Sequence, residues 1–261
     1  MRGITRSLTV LGLAGATALA PATALATTTP HDAEAAAAAG EYVAASLVDG
    51  HVPEDAGGGT ADAVLALLST GGDEQLVAQA TDWLEQQAPV YAVDGGPAAA
   101  KLALVAAATG RDATDFGGVD LIAGIEDALT DEGQCGEFGY AYGQALCALG
   151  LHRNDVEVPD EVVEVMLTFQ DESGAFGDDA SGEFTADPDG SALALTALAV
   201  SGHDGATDAA VAVRDWLLGA RTEEGYWEGF SPVNTTATVG SALTLVGEDV
   251  ADPAAWLAGL Q

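Results

Sequence analysis

The chain has very little positive charge. Of its 261 residues, 7 are lysine or arginine and 41 are aspartate or glutamate, which gives a net charge of −34 at pH 7. Only one residue, Lys101, is a lysine. Nucleic acids and anionic membranes are bound through basic patches, so this composition excludes both as partners.

Long apolar segments are also missing. Beyond residue 26, no stretch holds the roughly 20 uncharged apolar residues that span a bilayer, so we expect no membrane insertion. The one apolar run, Leu8–Ala20, follows two arginines and precedes the small residues Ala24-Leu25-Ala26. This order is typical of a secretory signal peptide. We therefore predict a signal peptide over 1–26, cleaved near Ala26, and a secreted protein.

The rest of the chain predicts one folded domain over 39–261, preceded by a flexible leader over 27–38. After cleavage, five basic residues face 41 acidic ones. Such self-repulsion destabilises a compact state and is screened by salt, so the charge favours adaptation to salty surroundings. A merely acidic secreted protein is the alternative. Calcium binding is a third interpretation, but Asp178, Asp179, Glu183 and Asp187 lack the spacing of a known calcium loop. We expect a monomer.

The chain has only two cysteines, Cys135 and Cys147. In an exported protein, a disulfide is the natural expectation. The predicted helix around Cys147 begins near Gly139, so the preceding loop must fold back to bring the two Cα atoms within about 7 Å. A disulfide and a pair of buried thiols both stay open. The two cysteines do not form a CxxC motif, and we expect no metal or cofactor.

Apolar residues return at three- and four-residue intervals, which predicts an all-α fold of helical pairs. The first helix of each pair has a charged face and is predicted to lie outside, over 34–46, 73–87, 118–129, 159–169, 207–220 and 251–260. The second is rich in Ala, Leu, Gly, Ser and Thr and is predicted to be buried on all sides, over 59–69, 97–109, 139–149, 189–201 and 235–246. Five pairs and an incomplete sixth predict an α/α toroid.

One short motif recurs between the helices. Gln170 is followed by Gly174-Ala175-Phe176, and Arg221 by Gly225-Tyr226-Trp227; Gly136-Glu137-Phe138 is a further match. With the acidic loop and the Ala/Leu-rich helix that follow, the motif resembles the prenyltransferase/squalene cyclase repeat, which transcobalamin-type carriers also share. The resemblance covers about residues 39–261 and implies a toroid. It also implies a structural role for the Gln and the aromatic residue, at a helix end.

The segment from Asp187 to Ala192 resembles the D-x-D-D-T-A motif of class II terpenoid cyclases. By position, Asp189 matches the aspartate that protonates the alkene. The adjacent carboxylate is missing at Gly190, so Asp187 and Asp189 are only weak candidates for acid catalysis. The same residues suit a helix start, with Asp187 as N-cap and Asp189 at the positive end of the helix dipole.

The strongest binding candidates lie in the loops that lead from outer to inner helices, because these loops gather at one mouth of a toroid. They are Tyr140, Tyr142, Gln144, Phe176, Phe184, Tyr226, Trp227 and Phe230. Aromatic rings among acidic residues suit sugars or a planar ligand, although packing uses the same residues. We expect a non-catalytic module that binds a small molecule, a glycan or a protein. The alternative is an extracellular enzyme, either a glycan hydrolase or lyase or a terpenoid cyclase with Asp189 as acid.

Overall fold

The structure, a computed structural model, describes residues 30–137, 139–178 and 183–260. This part of the chain is mostly helical, which confirms the predicted all-α class. Its helices are α1 (Pro30–Ser46), α2 (Gly58–Thr70), α3 (Glu74–Tyr91), α4 (Gly96–Thr109), α5 (Leu121–Glu126), α6 (Ala141–Arg153), α7 (Asp160–Leu167), α8 (Pro188–Ser201), α9 (Ala206–Gly219), α10 (Pro232–Leu245) and α11 (Ala251–Ala258). The predicted signal peptide, 1–26, lies outside the described residues.

The strands are minimal. β1 (Gly177–Asp178) and β2 (Thr185–Ala186) pair antiparallel between α7 and α8, with Gly177 opposite Ala186. A short 3-10 turn, Ala92–Asp94, joins α3 to α4. The chain is therefore a series of helices joined by turns.

Inner and outer helices alternate as predicted. An outer helix such as α3 buries one face, formed by Val77, Ala80, Thr81, Leu84 and Ala88. The inner helix α6 is buried over nearly its whole length, from Ala141 to Leu151. The difference follows from composition, because a helix without charged side chains has no face that prefers water.

The inner helices pack side by side in chain order, α2 on α4, α4 on α6, α6 on α8 and α8 on α10. An outer helix separates each inner helix from the next, so the inner helices run parallel and their N-terminal ends lie together. The first helix, α1, also contacts the last, α11. The loops that enter the inner helices therefore meet at one end of the molecule.

Some helix limits differ from the predictions. The first helix, Pro30–Ser46, overlaps the segment 27–38 that we expected to be a flexible leader. The fifth is only six residues long. The inner helix α10 was expected to be buried on all sides, but Asn234, Ala237 and Ser241 are exposed along one face. Whereas α6 packs between two inner helices, α10 packs on α8 and α11.

One turn recurs three times before an inner helix. In each copy, a backbone N–H donates to the carbonyl four residues later, and the N–H of a glycine donates back to the first residue. The turns begin at Thr130, Asp171 and Thr222 and contain Gly133, Gly174 and Gly225. The glycine φ angles, 90°, 92° and 94°, are unfavourable for other residues. Each glycine also lies against the next outer helix, α7, α9 or α11, where a side chain has little room.

These hydrogen bonds correct the predicted match at Gly136-Glu137-Phe138. The counterpart of Gly174 is Gly133, and the counterpart of Phe176 is therefore Cys135. Sequence comparison missed this copy because a cysteine stands where the other copies carry an aromatic residue. Phe138 lies outside the described residues.

The turns are anchored to the inner helices by buried polar side chains. The backbone N–H groups of residues 135, 176 and 227 donate to oxygens of Gln144, Ser191 and Thr236, at 2.9, 2.9 and 3.1 Å. All three side chains lie in the first turns of α6, α8 and α10. They satisfy N–H groups that would otherwise be buried without a partner.

Gln170 and Arg221 each tie their turn to the next outer helix. The amide of Gln170 donates to the carbonyls of Gly174 and Ala209, both at 3.1 Å, and Ala209 belongs to α9. Arg221 instead approaches Asp252 of α11 at 3.8 Å. The glutamine makes this connection by hydrogen bonds, and the arginine makes the corresponding connection by charge.

No helix in the described part of the chain combines the length and the apolar character that a membrane span requires.

Candidate functional site

The structure contains a disulfide between Cys135 and Cys147, with Cα atoms 6.5 Å apart. The loop before α6 folds back along the helix because Gln144 draws in the Cys135 N–H. Of the two alternatives left open by the sequence, the structure therefore has the disulfide. Gly96, the first residue of α4, packs on the bond, since a Cβ atom there would lie 2.5 Å from the Cys135 sulfur.

A cavity of about 600 Å³ opens beside this disulfide, between the start of α4 and the loop that enters α6. We call it the tyrosine cavity, because three tyrosines, Tyr91, Tyr140 and Tyr142, form much of its lining. Lys101, Cys135 and Glu137 line it as well. Where Phe176 and Trp227 fill the core next to their turns, the smaller Cys135 leaves space.

Lys101 is the only lysine of the chain and lies on the second turn of α4. Its ammonium group is 2.9 Å from one carboxylate oxygen of Asp62 on α2 and 3.0 Å from the other. The lysine side chain is only 15% exposed. Burial alone would lower the pKa of Lys101, but the charge and hydrogen bond of Asp62 outweigh it and raise the pKa. The lysine is therefore charged and neutralised by one partner.

Two of the tyrosine rings pack closely against glycines. A Cβ atom on Gly143 would lie 2.7 Å from the ring of Tyr140, and one on Gly57 would lie 3.1 Å from the ring of Tyr91. Tyr140 lies just before α6, where it is 39% exposed, and Tyr142 lies in the first turn and is half-buried. The rings thus rest on helix starts that carry no side chain beneath them.

Electrostatic contacts connect the cavity to the neighbouring helices. Burial raises the pKa of Tyr142, the positive charge of Lys101 opposes this shift, and the carboxylates of Asp62 and Asp189 add to it. The starts of α2, α4, α6 and α8 therefore share one polar region, although the inner helices are otherwise apolar.

Asp187 and Asp189 have different roles. Asp187 caps α8, since its carboxylate accepts the Asp189 N–H at 3.0 Å, and its predicted capping role is confirmed. Asp189 accepts from the Thr235 hydroxyl at 2.8 Å, while its other oxygen is buried without a hydrogen-bond partner among the described residues. Burial raises the pKa of Asp189, the Thr235 hydrogen bond opposes the rise, and the Asp187 charge supports it.

Of the eight predicted binding residues, four line the cavity or are exposed on loops, and four are buried or packed against other side chains. Tyr140 and Tyr142 line the cavity, and Phe184 and Phe230 are exposed on the loops before α8 and α10. The remaining four residues lie elsewhere. Phe176 and Trp227 are buried in the core, Gln144 is only 1% exposed, and Tyr226 stacks on Trp256 at 4.7 Å.

Gln144 was expected to contact a ligand, and the structure shows that it does not line the cavity. Its amide nitrogen donates to the carbonyls of Gly133 and Val162, at 2.6 and 3.0 Å, and its oxygen accepts from Cys135. Both amide hydrogens are used, so the side chain holds the loop to α6 and α7 instead of facing a ligand. A glutamine in an otherwise apolar helix indicates either role, and only its partners distinguish them.

Sequence reasoning missed two cavity residues, Lys101 and Tyr91. A signal for Lys101 was present, because a lone lysine in an acidic chain falls within a helix made almost entirely of Ala, Leu and Val. Tyr91 carried none, since the helix that holds it was expected to end at residue 87.

Comparison with known protein families and with curated proteins found no match to this chain.

Proposed function

We propose that the chain is a non-catalytic binding protein and that the tyrosine cavity holds its ligand. The observation that carries the proposal is Lys101. A buried lysine loses hydration, and packing among apolar helices gives no reason for a charge at this position. The cavity also falls within the range of roughly 300–1,000 Å³ that is typical of small-molecule sites.

Native mass spectrometry of the protein purified from its own culture medium tests this proposal. We expect the wild type to carry a bound compound and the Lys101→Met variant to lose most of it. Arg214→Met is a matched control, because Arg214 pairs with Asp215 and Glu248 away from the cavity. A ligand retained equally by the wild type and both variants contradicts the assignment to this cavity.

An extracellular enzyme is the second candidate, and Asp189 is the observation that favours it. A half-buried carboxyl group with a raised pKa and one unpaired oxygen resembles a general acid. Asp189→Asn preserves size and the acceptor for Thr235 but removes the proton. A hydrolase or cyclase activity that survives this change rules out Asp189 as the acid.

Export and a ring architecture belong to the same proposal. The disulfide supports export, because such bonds persist in oxidising compartments. The contact between α1 and α11 supports an α/α toroid, since it brings the ends of the helical series together. The resemblance to the prenyltransferase/squalene cyclase repeat implies the same ring. N-terminal sequencing of the secreted protein should begin at Thr27.

We also propose adaptation to salt. The negative charge lies on all the outer helices and on the loops between helices, so added salt should relieve repulsion over the surface of the molecule. The melting temperature should rise between low salt and molar KCl. A melting temperature that stays constant or falls over this range contradicts the proposal.

A further inference from the structure

Most of the exposed aromatic side chains lie on the loops that enter the inner helices. In the described part of the chain, four aromatic residues are exposed: Tyr42, Tyr140, Phe184 and Phe230. The last three lie on the loops before α6, α8 and α10, whose helix starts meet at one end of the molecule. Phe230 is fully exposed and makes no evident contribution to packing. Successive loops thus present aromatic surface beyond the cavity itself.

We propose that this end of the molecule binds a neutral polysaccharide, with one sugar ring in the tyrosine cavity and further rings over Phe184 and Phe230. The inference rests on the proposed binding function and names its ligand class.

The cavity has the two kinds of surface that a sugar ring requires. Tyrosine rings present flat apolar faces to the C–H groups of a sugar, together with a hydroxyl at the edge. Lys101 and Glu137 place a donor and an acceptor in the cavity lining, and Asp62, which is not part of that lining, holds the Lys101 ammonium group at 2.9 Å. Neighbouring sugar hydroxyls both donate and accept, so they match a lining that offers both.

Charge excludes acidic glycans. The chain carries a net charge of −34, so a polymer of uronic acids or sulfated sugars meets repulsion over the whole surface. The one positive group of the cavity, Lys101, is already neutralised by Asp62. A neutral chain meets neither repulsion nor competition from that carboxylate.

A basic peptide fits the overall charge but not the cavity. Its lysine or arginine side chains would approach Lys101, the one ammonium group in the chain's side chains. The acidic excess also extends over outer helices such as α3 and α7, so it does not direct a basic partner to this end. Aromatic exposure does mark this end, and it favours stacking.

The distribution of aromatic residues favours a polymer over a single sugar. The tyrosine cavity is one compartment, whereas Phe184 and Phe230 lie on later loops and do not line it. Exposed phenylalanines outside the cavity lining contribute to binding only if the ligand extends over them. Affinity should therefore increase with chain length.

Fluorine NMR of the full secreted chain labelled with 3-fluorotyrosine gives a direct test. The chain has five tyrosines, and Tyr42, on α1, lies outside the cavity lining and the proposed extended site and serves as the internal reference. Signals are assigned by Tyr→Phe variants. Maltohexaose, cellohexaose and mannohexaose are titrated, with glucose, mannose, trigalacturonate and a Lys/Leu peptide for comparison.

At least one neutral hexasaccharide should shift the signals of Tyr91, Tyr140 and Tyr142 saturably, and its affinity should exceed that of the corresponding monosaccharide. Phe230→Ala should weaken hexasaccharide binding roughly three- to tenfold, the amount typical of one lost aromatic contact, and leave the monosaccharide unaffected. Tyr42→Ala is the matched control, since Tyr42 is equally an exposed aromatic side chain but lies on α1.

The contrary results are distinct. If trigalacturonate or the peptide shifts the cavity signals and no neutral hexasaccharide does, the ligand class is wrong and the binding function stands. If a hexasaccharide binds but Phe230→Ala has no effect, the extended site is wrong. If no probe shifts the three signals and native mass spectrometry shows no bound compound, both the inference and the proposed function fail.

Discussion

The turns before α6 and α8 have the same backbone hydrogen bonds but carry different buried side chains. Both place a glycine against the next outer helix and tie the residue two positions later to a polar side chain of the inner helix. Before α8 that residue is Phe176, whose ring fills the core. Before α6 it is Cys135, which is bonded to Cys147 and leaves a cavity beside it. A covalent bond thus stands where the other turn packs a ring, and a cavity lies beside it.

The largest loss of stability should come from removing the buried ring of Phe176 in the turn before α8. Phe176→Ala should reduce the free energy of unfolding by about 3–5 kcal/mol, since it leaves a hole in a close-packed core. Phe230→Ala removes an equal side chain from the surface and should change it by less than about 0.5 kcal/mol. Urea denaturation measures both, and equal losses would contradict the placement of Phe176.

The corresponding change in the first turn is loss of its covalent bond. A double variant, Cys135→Ala with Cys147→Ala, should lose about 3 kcal/mol, because the bond closes a loop of 12 residues in the unfolded chain. The fluorine NMR signals of the cavity tyrosines should shift, while the signal of Tyr42 should not. If unfolding in urea is unchanged by reduction of the wild type, the bond does not stabilise the loop.

The polar anchors of the two turns should differ in importance. Ser191→Ala leaves the Phe176 N–H buried without a partner and should lose roughly 1–3 kcal/mol. Gln144→Leu removes three hydrogen bonds to backbone groups and should lose more. Ser241→Ala, on the exposed face of α10, is the control and should be nearly neutral. Thermal unfolding ranks the variants, and a smaller loss for Gln144→Leu would contradict this comparison.

The smallest effect concerns pH at the start of α8. Burial raises the pKa of Asp189, so the folded state holds its proton more tightly than the unfolded state, and stability decreases as pH rises through that pKa. Asp189→Asn should therefore gain stability relative to the wild type between pH 3 and 7, by less than about 1 kcal/mol because solvent screens the group.

Asp112 should affect the pH dependence of stability in the opposite direction, and Asp112→Asn tests this. The Thr114 side-chain and backbone hydrogen bonds lower the pKa of Asp112, so its contribution is present above the ordinary aspartate pKa and is lost on acidification. Urea unfolding at several pH values checks both variants. Parallel pH profiles for Asp189→Asn and the wild type would show that Asp189 is not perturbed.

Much of the fold was predictable because it depends on local pattern. The charged face of α3 and the Ala/Leu composition of α8 assign each helix to the outside or the inside without knowledge of any partner. The capping role of Asp187 was predictable for the same reason, since a cap acts on the N–H groups of its own helix.

The site was less predictable because its members are distant in sequence. Lys101 and Asp62 are 39 residues apart, and their pairing depends on how α4 lies on α2. Gln144 and Tyr142 are two residues apart on one helix, yet the first binds backbone groups inside the core and the second lines a cavity. Their difference follows from helix rotation relative to neighbours.

The sequence by itself determined that the chain forms alternating amphipathic and apolar helices, because helical period and composition act over a few residues. It determined the acidic surface as well. The tertiary structure decided which copies of the turn correspond, that the two cysteines are joined, and that a lone lysine lines the same cavity as three tyrosines. Those outcomes depend on contacts between separate helices, and such contacts exist only once the helices have packed.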